Sequence, residues 1–194
     1  MADKKITALT AGSPVSTDII PYVSAPSGSA VTKKATLSSF LPRVLFSSTT
    51  SVGSVGAGED DLFSYTLPAS TFSADTQTIT ANLAGSIIGH ASGTRTIKIY
   101  FGGTAIFNSG ALAETTNCSW MANVFLIRSS SSVVKYRVDF IRRATASNIA
   151  VAAVTGLTLT NTQIFKVTGE SSTATDNDVT FNIGNGVWYP IPSL

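Results

Sequence analysis

Nucleophilic catalysis by a Ser-His-Asp or Cys-His arrangement needs an imidazole base, and the chain has one histidine, His90, in the loop GSIIGHASG. Flanked by Gly and Ser, it reads as a solvated turn residue, and a dyad with the lone Cys118 would need the same ring. Zinc requires a His/Cys cluster that one residue of each type cannot supply. Calcium requires oxygen ligands, which TDNDVT offers at Asp176, Asn177 and Asp178 and GEDD at Glu59, Asp60 and Asp61. The same stretches read more simply as a hairpin turn and a solvated acidic linker end. Glycoside cleavage needs two carboxylates across a groove, and Glu114, Asp139 and Glu170 read instead as strand-end or outward charges. GSVGAG, Gly53 to Gly58, lacks both the Lys-Ser/Thr of a phosphate loop and the spacing of a dinucleotide turn. No catalytic residue, cofactor or metal is therefore assigned, and the expectation is a protein that is not an enzyme.

Aromatic side chains leave a binding role open. Tyr100, Phe107, Trp120, Trp188 and Tyr189 could line a sugar-binding surface, although alternating strands favour core or intersubunit packing for them. The apolar ending VWYPIPSL points to a subunit interface built on Trp188, Tyr189 and Ile191.

The elements that would position these residues have a period of two from about Phe63 onward, the signature of strands with one buried face. LFSYTL aligns Phe63, Tyr65 and Leu67; QTITANLA aligns Ile79, Ala81 and Leu83; TRTIKIYF aligns Ile97, Ile99 and Phe101. VVKYRVDFIRR turns Val134, Tyr136, Val138 and Phe140 inward and Lys135, Arg137 and Asp139 outward. In SWMANVFLIR both faces are largely apolar, which predicts a central strand covered on both sides. IFKVTGE, DVTFNI and GVWYPI complete the run, and Gly-, Ser- and Asn-rich turns separate the segments. No stretch of ten or more residues has a 3.6 period. The expected fold is all-β, an antiparallel jelly-roll-like β-sandwich preceded by an extended N-terminal arm; spacing alone leaves other Greek-key sandwiches open.

Bulk composition narrows the partners. The 194 residues suffice for one domain plus an arm, and only 12% are charged while 43% are hydrophobic. A soluble domain is usually about a quarter charged, so part of this surface should be covered by other subunits. The net charge of +2 and the scattered basic pairs Lys4-Lys5, Lys33-Lys34 and Arg142-Arg143 argue against nucleic acid. One cysteine excludes an intrachain disulfide, and Cys118 reads as a small buried apolar residue. The longest apolar patch, Ile149 to Val154, is far too short to span a membrane, and no apolar stretch follows Lys4 and Lys5 as a secretory signal would require. The chain is thus expected to be soluble, made in a cytoplasm and not exported by a cleaved signal.

The first fifty residues differ. Pro14, Pro21, Pro26 and Pro42 break any long element, leaving DIIPYVS and TKKATL as brief strands and SSFL as a single helical turn. Residues 1–46 read as an arm too poor in apolar surface to order itself, residues 47–61 as a flexible Ser/Gly linker, and residues 62–194 as the sandwich.

The arm also resembles a leader common among tailed-bacteriophage virion proteins. Lys5, Ile6, Thr7, Leu9 and Thr10, then Ser16, Asp18, Ile20, Pro21 and Val23, then Thr32 to Leu37 follow that leader's order, with Ala35 where a larger apolar residue is usual. The remainder, from GAGEDDLFSYTL through TIKIYFGGTAIFNSG to ATDNDVTFNI, is similar to the β-sandwich of phage decoration and appendage proteins, so the resemblance covers nearly the whole chain. It implies a homotrimer on the virion, attached by the arm through Ile6, Leu9, Ile19, Ile20, Tyr22, Val23, Lys33, Lys34, Leu37 and Phe40 to the major capsid protein or another virion protein. The leading expectation is a trimeric capsid decoration, or cement, protein on the outside of the head. A short tail fibre, head fibre or spike that binds a host receptor or glycan is the alternative. Neither implies contact with nucleic acid or membrane.

Overall fold

Alternation of β-branched and aromatic residues with Thr, Ser and Asn gives strands, and the computed structural model of the chain is built of them alone among its described residues, 19–24, 31–36, 41–142 and 146–190. The chain divides into two units, Met1–Leu41 and Pro42–Leu194. In the first, β1 (Ile19–Ser24) and β2 (Val31–Thr36) form an antiparallel hairpin in which Ile20 faces Ala35 and Tyr22 faces Lys33. These are the two brief strands expected of the arm. Two strands alone are marginal in water.

The second unit contains β3 (Arg43–Ser48), β4 (Val52–Gly53), β5 (Gly58–Leu67), β6 (Thr78–Ile87), β7 (Arg95–Phe101), β8 (Thr104–Asn108), β9 (Cys118–Ser130), β10 (Val133–Arg142), β11 (Ala146–Val154), β12 (Gln163–Ser171) and β13 (Val179–Tyr189). One sheet runs β11-β10-β9-β6-β13-β3, with β4 also on β13, and the other runs β5-β12-β7-β8. Every pairing is antiparallel. The orders β3-β13-β6-β9 and β5-β12-β7-β8 are those of an eight-stranded jelly roll, to which the β10–β11 hairpin adds two strands at one edge.

The two layers meet through aromatic side chains. Phe46 of β3 lies 4.8 Å from Phe63 and 5.8 Å from Phe165, while Phe181 of β13 stacks 5.0 Å from Phe63. At the other side Phe107 of β8 stacks 4.8 Å from Phe140, which in turn faces Trp120 at 6.2 Å. Gly85 makes room for that indole: a Cβ there would collide with the Thr180 carbonyl and the Trp120 ring, and Trp120 Nε1 donates to that same carbonyl at 3.0 Å. Gly102 and Gly103, with φ of 57° and 81°, make the two-residue turn joining β7 to β8.

Three expectations are corrected. Residues 47–61 are not a free linker: Ser47 and Ser48 end β3, Val52–Gly53 pairs with β13, and Gly58 opens β5. Because Arg43–Ser48 belongs to the large sheet, the arm ends at residue 41 and not at 46. Phe63 does point inward with Tyr65, but so does Leu62, at 1% exposure, because a bulge opposite Val167 and Thr168 inserts one residue.

Candidate functional site

The outer faces of the two sheets have opposite chemistry. On the four-stranded sheet Glu59 accepts hydrogen bonds from Lys98 Nζ at 2.6 Å, Tyr100 Oη at 2.7 Å and Thr168 Oγ1 at 2.7 Å. Lys98 also reaches Glu170 at 3.1 Å, and Lys166 pairs with Asp61 at 2.8 Å while lying 5.1 Å from the centre of the Tyr100 ring. Burial disfavours the Glu59 carboxylate, but the hydrogen bonds from Lys98, Tyr100 and Thr168 outweigh it and hold its pKa at about 2. The hydrogen bond to Glu59 raises Lys98, and that to Asp61 raises Lys166. Burial, then the bond to Glu59, raises Tyr100. This face is a carpet of charges that satisfy one another.

The seven-stranded sheet presents four outward rows. They run Ile183-Ala84-Met121-Ile141, Asn185-Asn82-Asn123-Asp139-Ile149, Val187-Thr80-Phe125-Arg137-Val151 and Tyr189-Thr78-Ile127-Lys135-Ala153. Only β10 contributes charge to these rows, through Lys135, Arg137 and Asp139, and Arg137 Nε already bonds Asp139 at 2.9 Å. Met121, Phe125, Ile149, Val151, Ile183 and Tyr189 are exposed, Val151 to 71%. Asn82 and Asn185 are linked at 3.4 Å, and the third asparagine of the row, Asn123, lines shallow grooves on either side of it with Met121 and Phe125. Such depletion of charge around Met and aromatic side chains is what distinguishes the centre of a protein interface from ordinary surface. The prediction that β9 is covered on both sides is thus corrected within a single chain: Trp120, Ala122, Val124 and Leu126 are buried, whereas Met121 at 43% and Phe125 at 41% stand open.

A third cluster lies where the loop before β13 meets those after β4 and β6. The Asp178 carboxylate, with no exposed side-chain surface, accepts from His90 Nε2 at 2.7 Å, Arg95 Nη2 at 3.3 Å, Ser171 Oγ at 2.7 Å and Thr173 Oγ1 at 2.5 Å. Burial works against its charge, but the bonds from Thr173, Ser171 and His90 and the Arg95 charge bring its pKa below the ordinary value. Asp176 accepts from the Gly56 amide at 2.8 Å, and Asp60 from the Val55 amide at 2.8 Å. Asp176, Asp178, Asp60 and Glu59 therefore point at four different sets of protein donors, and no cluster of metal-ligating side chains forms among the described residues. His90 and Cys118 are likewise apart in role: His90 serves Asp178, and Cys118, half-buried, packs against the core.

The remaining residues fall as follows. Glu114 is not an outward charge: it is buried and ion-paired with Arg142. Asp139 and Glu170 lie on opposite sheets, so the three carboxylates flank no common groove. Phe107 and Trp120 are core residues, Tyr100 faces out from one sheet and Tyr189 from the other, so the five aromatics share no surface. Trp188 packs against the protein's own core with the Arg43 guanidinium 5.3 Å from its ring centre, while Tyr189 is 39% exposed. Ile19, Ile20, Tyr22 and Val23 lie on β1 and Lys33 and Lys34 on β2; Ile6, Leu9, Leu37, Phe40 and Ile191 lie outside the described residues. Sequence reading missed the outward set Ile183, Ile149 and Val151; the signal for it was the complete lack of charge in the β11 and β13 segments.

No protein-family model matches the chain, and no curated protein matches its sequence. Solved structures to which the chain is similar include the CBM2 module of the evolved Dit of Lactobacillus casei BL23 phage J-1, 8% identical over 79% of this chain and 98% of that one, with a TM-score of 0.37. The infectious bursal disease virus VP2 subviral particle is 15% identical over 90% of this chain with a TM-score of 0.35, and the match spans 38% of the VP2 chain. The lectin UEA-II, solved with galactose, is 8% identical over 87% of this chain and 85% of that one, with a TM-score of 0.35. At these scores and identities, what each of them binds or builds stays a property of that protein.

Proposed function

We propose that the chain is a structural protein of a bacteriophage particle: a homotrimeric capsid decoration protein, made in the host cytoplasm, that sits on the outside of the head and clamps neighbouring capsid subunits. The observation that carries this reading is the charge-poor outer face of the seven-stranded sheet, opposed to a fully charge-paired face on the other sheet. A jelly roll with one face for other subunits and one for water, tethered to a separate hairpin unit, suits attachment and not catalysis. The leader-like sequence of residues 5–37 supports the phage assignment. In this mechanism the arm docks on the particle, whose strand edges β1 or β2 can extend by backbone pairing, and the sandwich spreads binding energy over a broad face. No chemical step is involved, and neither nucleic acid nor membrane is a partner.

One observation favours the alternative of a short tail fibre, head fibre or spike. The charge-paired face holds a cavity of about 490 Å³ lined by Asp61, Ser64, Tyr100, Gln163, Ile164 and Lys166, polar groups beside an aromatic ring as a host glycan would require. The test is removal of Met1 to Leu41. The shortened protein is expected to fold and trimerise yet fail to join undecorated heads; full occupancy by arm-less protein would overturn the docking role.

A further inference from the structure

β11 ends the seven-stranded sheet, and its nine residues, ASNIAVAAV, contain no charge and no proline. Its pairing with β10 runs from Val134↔Val154 to Arg142↔Ala146 with no register shift. Natural sheets protect such an edge with Lys, Pro, a bulge or a very short strand, because an open edge templates pairing with another chain. β11 has none of these devices, and Ile149 and Val151 stand 63% and 71% exposed on it.

We infer that β11 pairs with β11 of a second copy, antiparallel about a two-fold axis through Ala150, to join two large sheets into one. The inference deepens the reading of the chain as an assembling particle protein, and it concerns contacts between trimers. A two-fold contact must be self-complementary, and this register is. It uses the whole strand and places Ile149 of each copy opposite Val151 of the other, a pair of β-branched side chains of the kind that stabilises adjacent strands. Arg137 lies beside Val151 and Asp139 beside Ile149 on β10. Because Arg137 Nε bonds Asp139 at 2.9 Å within each copy, the two charges nearest the Ile149–Val151 pairs are already neutralised, and the seam between the copies joins one uncharged strand to another.

The experiment is cysteine pairing in the full-length chain with Cys118→Ser. Protein carrying Ile149→Cys is mixed with protein carrying Val151→Cys under mild oxidation, which traps even a short-lived pair. Directly opposed residues meet disulfide geometry, whereas Ile149 to Ile149 and Val151 to Val151 are diagonals too long for it. The mixture is expected to give a cross-linked dimer of chains and each variant alone at least tenfold less. No cross-link in the mixture, as expected if another protein covers the edge, or equal cross-linking of each variant alone, would overturn the inference. Asn148→Lys, which adds a protective charge to the edge strand on the side away from Met121 and Phe125 and needs no cross-linking, is expected to abolish species larger than the trimer while trimer mass and head binding persist. If those larger species survive it, the inference fails; if the trimer itself is absent in the unmodified chain, the trimer reading fails separately.

Discussion

Truncating Met121 and Phe125 to alanine removes the two large apolar side chains that β9 leaves exposed. Burying such a side chain fully contributes about 1.5–3 kcal/mol. With 43% and 41% of their surfaces still exposed in the single chain, about two-fifths of that, roughly 0.6–1.3 kcal/mol at each position, is left for a neighbouring subunit to supply. Three chains with two such residues each give about 4–8 kcal/mol, or roughly three to six decades in the trimer association constant. Sedimentation equilibrium over a dilution series reads this directly, and a thermal melt of each variant checks that the protomer still folds. Ile164→Ala is the control: it removes a side chain 49% exposed on the opposite sheet and is expected to leave association unchanged. A double variant that dissociates at the same concentration as the unmodified chain, or an equal loss from Ile164→Ala, would refute the assignment of this face.

Asp178→Asn leaves the Arg95 guanidinium buried without its counter-charge, and the expected loss of stability is about 3–5 kcal/mol, read as a lowered midpoint in urea unfolding. Acid acts through Glu59 and Asp178, both depressed in the folded chain. Their contribution is complete above the ordinary carboxylate range and is lost as pH falls through the folded values, for Glu59 between 4.5 and about 2. Melting temperature is expected to fall across that window, and Glu59→Gln to flatten the slope; an unchanged slope would show that the Lys98, Tyr100 and Thr168 bonds do not set it.

How far the sequence discloses this molecule depends on how local each determinant is. β6, β7 and β10 alternate cleanly because each has one wet and one buried face, and the Gly102-Gly103 turn carries its own signature. The Ser/Gly segment around β4 is different. Its order comes from residues far along the chain: Val179 lends a carbonyl to the Ser54 amide, the Asn177 amide donates to the Ser54 carbonyl, and Asp176 caps Gly56 across 120 positions. No window of composition contains that information. β11 is similarly hidden, since an Ala-rich edge strand lacks alternation, and Glu114 looks like a surface acid until Arg142 is brought to it by the fold. The charge-poor face was legible as a deficit of charge but not as a place. Met121 and Phe125 announce an apolar second side of β9, which in a monomer means burial and in an assembly means contact, and periodicity alone does not separate the two.

Antibody-gold labelling of intact purified virions, viewed by electron microscopy, tests the account most directly. A decoration protein predicts label spread over the head at many sites per particle. Label confined to the tail or to one vertex would contradict decoration in favour of the receptor-binding alternative, and virions that carry no label at all would contradict a role in the particle.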